Sequence, residues 1–133
     1  MSAFVDTNIL IRHLTGDPPQ MAARATAFLG AEDNLYLTDL VVAETIYVLE
    51  SFYEVPRARV ADAIRSLLAL GSMVVVGHGL LLRAVEVYET ARLDFADAYL
   101  VACAESTGIF RVASFDKTID RVGTLIRAEP AAK

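Results

Sequence analysis

At 133 residues, 55% of them apolar, the chain is long enough for one domain with a core of its own. Its net charge of −5 excludes a broad basic face for nucleic acid, though not a nucleic-acid enzyme whose acids a metal neutralises. No apolar run reaches the roughly 18 residues that span a bilayer, because the greasiest stretch, residues 67–82, is broken by Gly71, Ser72, Gly77, His78 and Gly79.

The first residues lack a basic region, and Asp6 interrupts their apolar run, so a signal peptide is not expected. Ala3, Phe4 and Val5 read as a short buried strand. Residues 7–14 start a helix, and Gly16-Asp17-Pro18-Pro19 breaks it. Residues 20–29 are Ala-rich and helical. A second strand at 35–37 leads into a helix over 40–52 with an apolar stripe at Leu40, Ala43, Tyr47 and Val48. Pro56 marks the start of the next helix, striped by Val60, Ile64, Leu67 and Leu68. Residues 73–76 make a third strand, and Gly77-His78-Gly79 a turn. A helix over 80–91 aligns Leu81, Val85 and Tyr88. Another over 96–106 ends at Gly108, a good C-cap. Residues 110–113 form a fourth strand, and 125–126 a short fifth.

No linker, repeat or low-complexity run interrupts this order, so residues 1–133 are expected to form a single domain. Strands alternating with helices imply an α/β fold with a mostly parallel sheet sandwiched by helices. Ligands in such folds bind beyond the carboxyl ends of the strands. The lone Cys103 cannot form an internal disulfide, and among Val101, Ala102 and Ala104 it reads as a buried thiol. A cytoplasmic location follows.

Acids recur at the places where that rule puts chemistry. Asp6 follows the first strand, and Asp116 follows the fourth after Ser114-Phe115. Each is either a helix N-cap or a site carboxylate. Asp94 and Asp97 open a helix at i, i+3; capping explains Asp94 more readily than Asp97, which shares a face with Leu100, Val101 and Ala104. Glu44 lies mid-helix on or beside the apolar stripe, where a carboxylate is costly without a partner. Four acids from four segments that met at one sheet edge would repel unless a cation or a proton neutralised them. All-oxygen ligands select a hard cation, Mg2+ or Mn2+, over zinc. His13 and His78 are too isolated for a zinc site, and His13 is surface or substrate-facing.

The segments Phe4-Val5-Asp6-Thr7-Asn8, Glu44 within a helix, Asp94-Phe95-Ala96-Asp97-Ala98 and Ser114-Phe115-Asp116 together resemble the PIN domain, most closely the VapC-type toxins of toxin–antitoxin pairs. The resemblance runs from residue 3 to about residue 126. It implies a five-stranded parallel sheet and Mg2+-dependent endonuclease action on RNA, leaving 5′-phosphate and 3′-hydroxyl ends. By matching position, Asp6, Glu44, Asp97 and Asp116 take the acidic quartet as catalytic and metal-holding residues. Asn8, Ser114 and Asp94 take supporting places; Ser114 stands where many relatives carry Thr. Asp6 and Asp97 are expected nearest the first metal, with Glu44 orienting water and Asp116 completing a weaker second site. The resemblance also implies a homodimer and a cognate antitoxin. Arg12, Lys117 and Arg121 are candidates for RNA-backbone contacts, the alternative for each being an ordinary solvated charge.

Two other readings compete. Asp6-Thr7-Asn8 is loosely similar to the Asp-x-Asp of haloacid-dehalogenase-type phosphatases, but Asn8 replaces the second acid that this chemistry needs. A non-catalytic PIN-like module that binds a partner or RNA is the other; the full quartet argues against decay.

Overall fold

The computed structural model describes residues 2–132. Among them the chain forms two compact units, one up to Val76 and one from Gly77 onward.

The first unit holds β1 (Ala3–Phe4), α1 (Thr7–Thr15), α2 (Pro19–Ala31), β2 (Leu35–Leu37), α3 (Asp39–Ser51), α4 (Arg57–Leu68) and β3 (Met73–Val75). Its sheet runs β1-β2-β3, all parallel, with Phe4 opposite Tyr36 and Leu37 opposite Val75. Period-two alternation buries Leu35 and Leu37 while Tyr36 turns outward. Gly16 ends α1 in the left-handed conformation (φ 71°), and Pro19 opens α2 at a position where its missing N–H costs nothing. Val60, Ile64, Leu67 and Leu68 of α4 are all buried, as their spacing predicts.

The second unit holds α5 (His78–Thr90), α6 (Phe95–Thr107), β4 (Arg111–Ala113), a 3-10 helix (Lys117–Arg121) and β5 (Ile126–Ala128). α5 and α6 pack together through Leu81, Ala84, Val85 and Tyr88 on one side and Ala98, Val101 and Ala102 on the other, all buried. Tyr88 and Phe95 meet edge-on, with ring centroids 6.2 Å apart. Gly108 caps α6 in the left-handed conformation (φ 76°). β4 and β5 pair in parallel, Arg111 opposite Ile126.

The α/β class and the parallel pairing are those expected, but the sheet is not one of five strands. Among the described residues, hydrogen bonding gives a three-stranded sheet and a separate two-stranded one. Every strand is only two or three residues long.

The stripe expected on α3 also differs. Val42, Thr45, Ile46 and Leu49 are buried, whereas Leu40 and Tyr47 are 79% and 68% exposed. This helix is apolar on most of its circumference, so spacing alone does not choose the inward face. Two smaller expectations are corrected likewise. Cys103 is half-buried, because the small side chains around it leave one flank open. Of the Gly-His-Gly segment only Gly77 is a turn residue (φ 72°); His78 and Gly79 already belong to α5.

Candidate active site

In the first unit, the parallel strand β1 delivers Asp6 at its carboxyl end. There Asp6 is the N-cap of α1, its Oδ1 accepting from the Thr7 N–H at 2.8 Å. The cap occupies one carboxylate oxygen of an exposed side chain. Thr7 is 93% buried in the first turn of α1, and its hydroxyl donates to Oε1 of Glu44 on α3. Glu44 is exposed, on the outward face with Leu40 and Tyr47. The burial cost expected for it does not arise, because the stripe it shares turns to solvent.

Asp6, Asn8, Arg12 and Glu44 line one groove of about 430 Å³ between α1 and α3, floored by Ile11 and Val48 and flanked by Phe52 and Tyr53. The structure thus brings two of the quartet together with Asn8 and Arg12. The Arg12 Nη1 donates to the Asp17 carbonyl oxygen at 3.2 Å, while its Nε is buried without a partner. His13 is half-buried, its Nδ1 2.8 Å from the Thr26 hydroxyl, and is not a groove residue.

In the second unit, β4 delivers Asp116 to the N-cap of the 3-10 helix. Its Oδ1 accepts from both the backbone N–H (2.9 Å) and the hydroxyl (2.7 Å) of Thr118. Ser114 supports the turn, its Oγ accepting from the Asp116 N–H at 2.9 Å. Asp97, half-buried in the first turn of α6, stands close enough to Asp116 for each carboxyl to shift the other. Burial pushes the Asp97 pKa up, and the neighbouring Asp116 carboxyl and the charge of Asp94 push the same way. The Asp116 pKa is held down by the two Thr118 bonds, by the Asp97 carboxyl and by the Arg121 charge. Asp94 sits at the N-cap position of α6 without a side-chain capping bond, so the capping that its spacing suggests is not made.

The expected cations behave differently from one another. Arg121 donates through Nη1 to the carbonyl oxygens of Ala91 (3.4 Å) and Arg92 (3.0 Å) and favours the Asp116 carboxylate electrostatically. Lys117 is exposed and adjacent to Asp116 in sequence, with no hydrogen bond or ion pair tying it there. Thr7 is the residue that sequence reasoning passed over. Its place between Asp6 and Asn8 was the available signal, but a hydroxyl there reads as helix-start composition until its partner on α3 is known.

As a donor set these residues offer carboxylate oxygens, which fit a hard divalent cation in type. Among the described residues, no three His, Cys, Asp or Glu side chains stand grouped as a ready-made metal cage.

The structure is an α/β chain with parallel strands, and Asp6 and Asp116 stand beyond strand ends, where such folds bind ligands. The chain belongs to the PIN domain family, whose model matches residues 3–125. PIN domains are generally nucleases that use divalent metal ions, which supports a nuclease-type activity on nucleic acid. No curated protein matches the sequence. No helix among the described residues is long and apolar enough to cross a membrane.

Proposed function

We propose that this protein is a Mg2+-dependent endoribonuclease, Mn2+ serving in place of Mg2+, that acts as the toxin of a toxin–antitoxin pair. The observation that carries the reading is the placement of Asp6 and Glu44 in one groove beyond the carboxyl end of β1, on a chain of the PIN family. Carboxylates beside an open groove at a strand end stand where such folds bind ligands, and their oxygens suit a hard cation.

Asp6 and Glu44 of the first unit and Asp97 and Asp116 of the second would be the carboxylates that hold metal. When bound, it lowers the pKa of a water and offsets charge building at phosphorus. Asp6 commits one oxygen to capping α1, which leaves the other for this role. Thr7 engages Oε1 of Glu44 and leaves Oε2 to orient the attacking water. Ser114 steadies the backbone that carries Asp116. Arg12, Lys117 and Arg121 receive RNA phosphates. A cognate antitoxin would place an arginine against these carboxylates, the side chain best shaped for bidentate pairing. The toxin acts in the cytoplasm as a homodimer.

The test is cleavage of single-stranded RNA by the partner-free protein. Cutting is expected with Mg2+ or Mn2+, giving 5′-phosphate and 3′-hydroxyl ends, and EDTA is expected to stop it. Undiminished cutting in EDTA sinks the metal mechanism. Expression without a partner should arrest growth, and Asp6→Asn should abolish the arrest; absence of arrest by the parent removes the toxin role while leaving the nuclease.

A further inference from the structure

A second groove, of about 410 Å³, lies between α1 and α2 of the first unit. Arg12 and Arg24 line it with Asn8, Met21 and Phe28, and no acidic side chain is among its lining residues. That is unusual on a chain of net charge −5. Arg24 is exposed, Phe28 half-buried and Met21 48% exposed, so the groove offers cations and an apolar wall at one opening. Its volume lies within the range of small-ligand pockets.

Two features tie this groove to the acids. Asn8 and Arg12 line both it and the groove that contains Asp6 and Glu44. Of the Arg12 guanidinium, Nη1 donates to the Asp17 carbonyl oxygen, which leaves Nη2 for an anion in the groove. A chain lying along α1 would leave the carboxylates and meet Arg12 first, then Arg24.

We propose that the α1–α2 groove is a subsite for a nucleotide flanking the scissile phosphate of RNA, with Arg12 and Arg24 gripping its phosphate and Phe28 and Met21 taking its base. The inference rests on the ribonuclease reading and deepens it by giving Arg24 and Phe28 a substrate role. Two cations and no acid select an anion. An aromatic face beside them selects an anion that carries a base, since base–aromatic contact is the sequence-tolerant device of single-strand binding. The expected consequence is affinity without strong sequence preference at this position.

The experiment measures binding of a fluorescently labelled single-stranded RNA to the full chain in EDTA by anisotropy, across a salt series, so that it does not depend on cleavage. The variants are Arg24→Glu, Phe28→Leu, and Arg59→Glu as a charge control at an exposed position of α4. Arg24→Glu should weaken binding about tenfold and flatten the log–log salt slope by roughly 0.7, the value for one lost contact to a single strand. Phe28→Leu should weaken binding roughly fivefold, the low end for one lost stack, with the salt slope kept. Arg59→Glu should bind as the parent does. Parent-like RNA binding by Arg24→Glu, or equal losses in Arg24→Glu and Arg59→Glu, overturns the subsite. If the parent binds RNA through this groove yet never cuts it, the subsite stands and the nuclease reading falls.

Discussion

Asp97 and Asp116 are neighbouring carboxyls shifted in opposite directions: Asp97 is pushed toward its protonated form and Asp116 toward its ionised form. The asymmetry follows from placement. Asp97 is half-buried at the start of α6, beside Asp94, and pays for desolvation and for two neighbouring charges. Asp116 is exposed, accepts two bonds from Thr118 and feels Arg121. Neighbouring carboxylates reach such an asymmetry because burial and like charge both disfavour ionisation of the less solvated one.

The pair sets a pH dependence. Asp97 has a raised folded-state pKa, so its contribution to stability falls as pH rises from about the ordinary 3.8 through the folded value. Asp116 has a lowered one, so its contribution is present above 3.8 and is lost as pH falls through its folded value. Asp97→Asn isolates the first effect, since the amide keeps a donor toward Asp116 but cannot ionise. In EDTA the variant should match the parent near pH 3.5 and exceed it in melting temperature by a few degrees at pH 7. A variant less stable than the parent at pH 7 would make Asp97 a structural hydrogen-bond partner instead.

Away from the candidate site, Glu105 holds the second unit together. Its carboxylate accepts from Arg83 at 2.7 and 2.9 Å and from the Thr124 hydroxyl, and those bonds hold its pKa down. Glu105→Gln should cost about 1–2 kcal/mol at pH 7, the scale of a charge-assisted bond that is partly screened. The lowered pKa means this stability is present above the ordinary 4.5 and is lost as pH falls through the folded value. Urea melts of parent and variant should therefore differ at pH 7 and draw together near pH 3. A constant difference across that range would assign the loss to shape.

The sequence made the elements legible wherever one face of a helix is plainly apolar. The stripes of α4 and α5 are buried as spacing predicts, and Gly16 and Gly108 end their helices in the left-handed conformation. It misled at α3, where apolar residues surround the helix and the outward face, carrying Glu44, passed for the inward one. For the acids, position after a strand located Asp6 and Asp116, because strand ends are fixed by the sheet. The pairing partners were not legible: Thr7 with Glu44 spans 37 residues, and no local pattern encodes it. The division of the strands into two sheets was hidden too, since pairing depends on contacts remote in sequence.

Thr7 is a positioning residue on this account. Thr7→Val keeps the shape in its buried place and removes only the donor to Glu44. Glu44 is exposed, so water replaces the lost bond and stability should fall by no more than about 1 kcal/mol. RNA cleavage should fall by about tenfold or more, the usual effect of losing a group that orients a ligand or base, and Thr7→Ser should restore most of it. Cleavage by Thr7→Val at the parent's rate would show that the Glu44 orientation does not matter.

Mg2+ should separate the catalytic from the structural use of Asp97. In the parent, a cation that binds the folded state stabilises it by mass action, by about 2.7 kcal/mol at a hundred times its dissociation constant. It also displaces the proton of the Asp97–Asp116 pair, so binding should weaken as pH falls below the raised Asp97 value. Asp97→Asn keeps the fold and one oxygen but removes a charge that holds the ion. Its melting temperature should start higher than the parent's in EDTA and rise much less when Mg2+ is added, while RNA cleavage is lost. Activity is then exchanged for stability at a single side chain. The measurement is a thermal melt of both proteins in EDTA and across a Mg2+ series, beside the cleavage assay. Equal Mg2+ stabilisation of parent and variant would remove Asp97 from the metal-holding set and leave the shifted carboxyl pair without the cation argued for it.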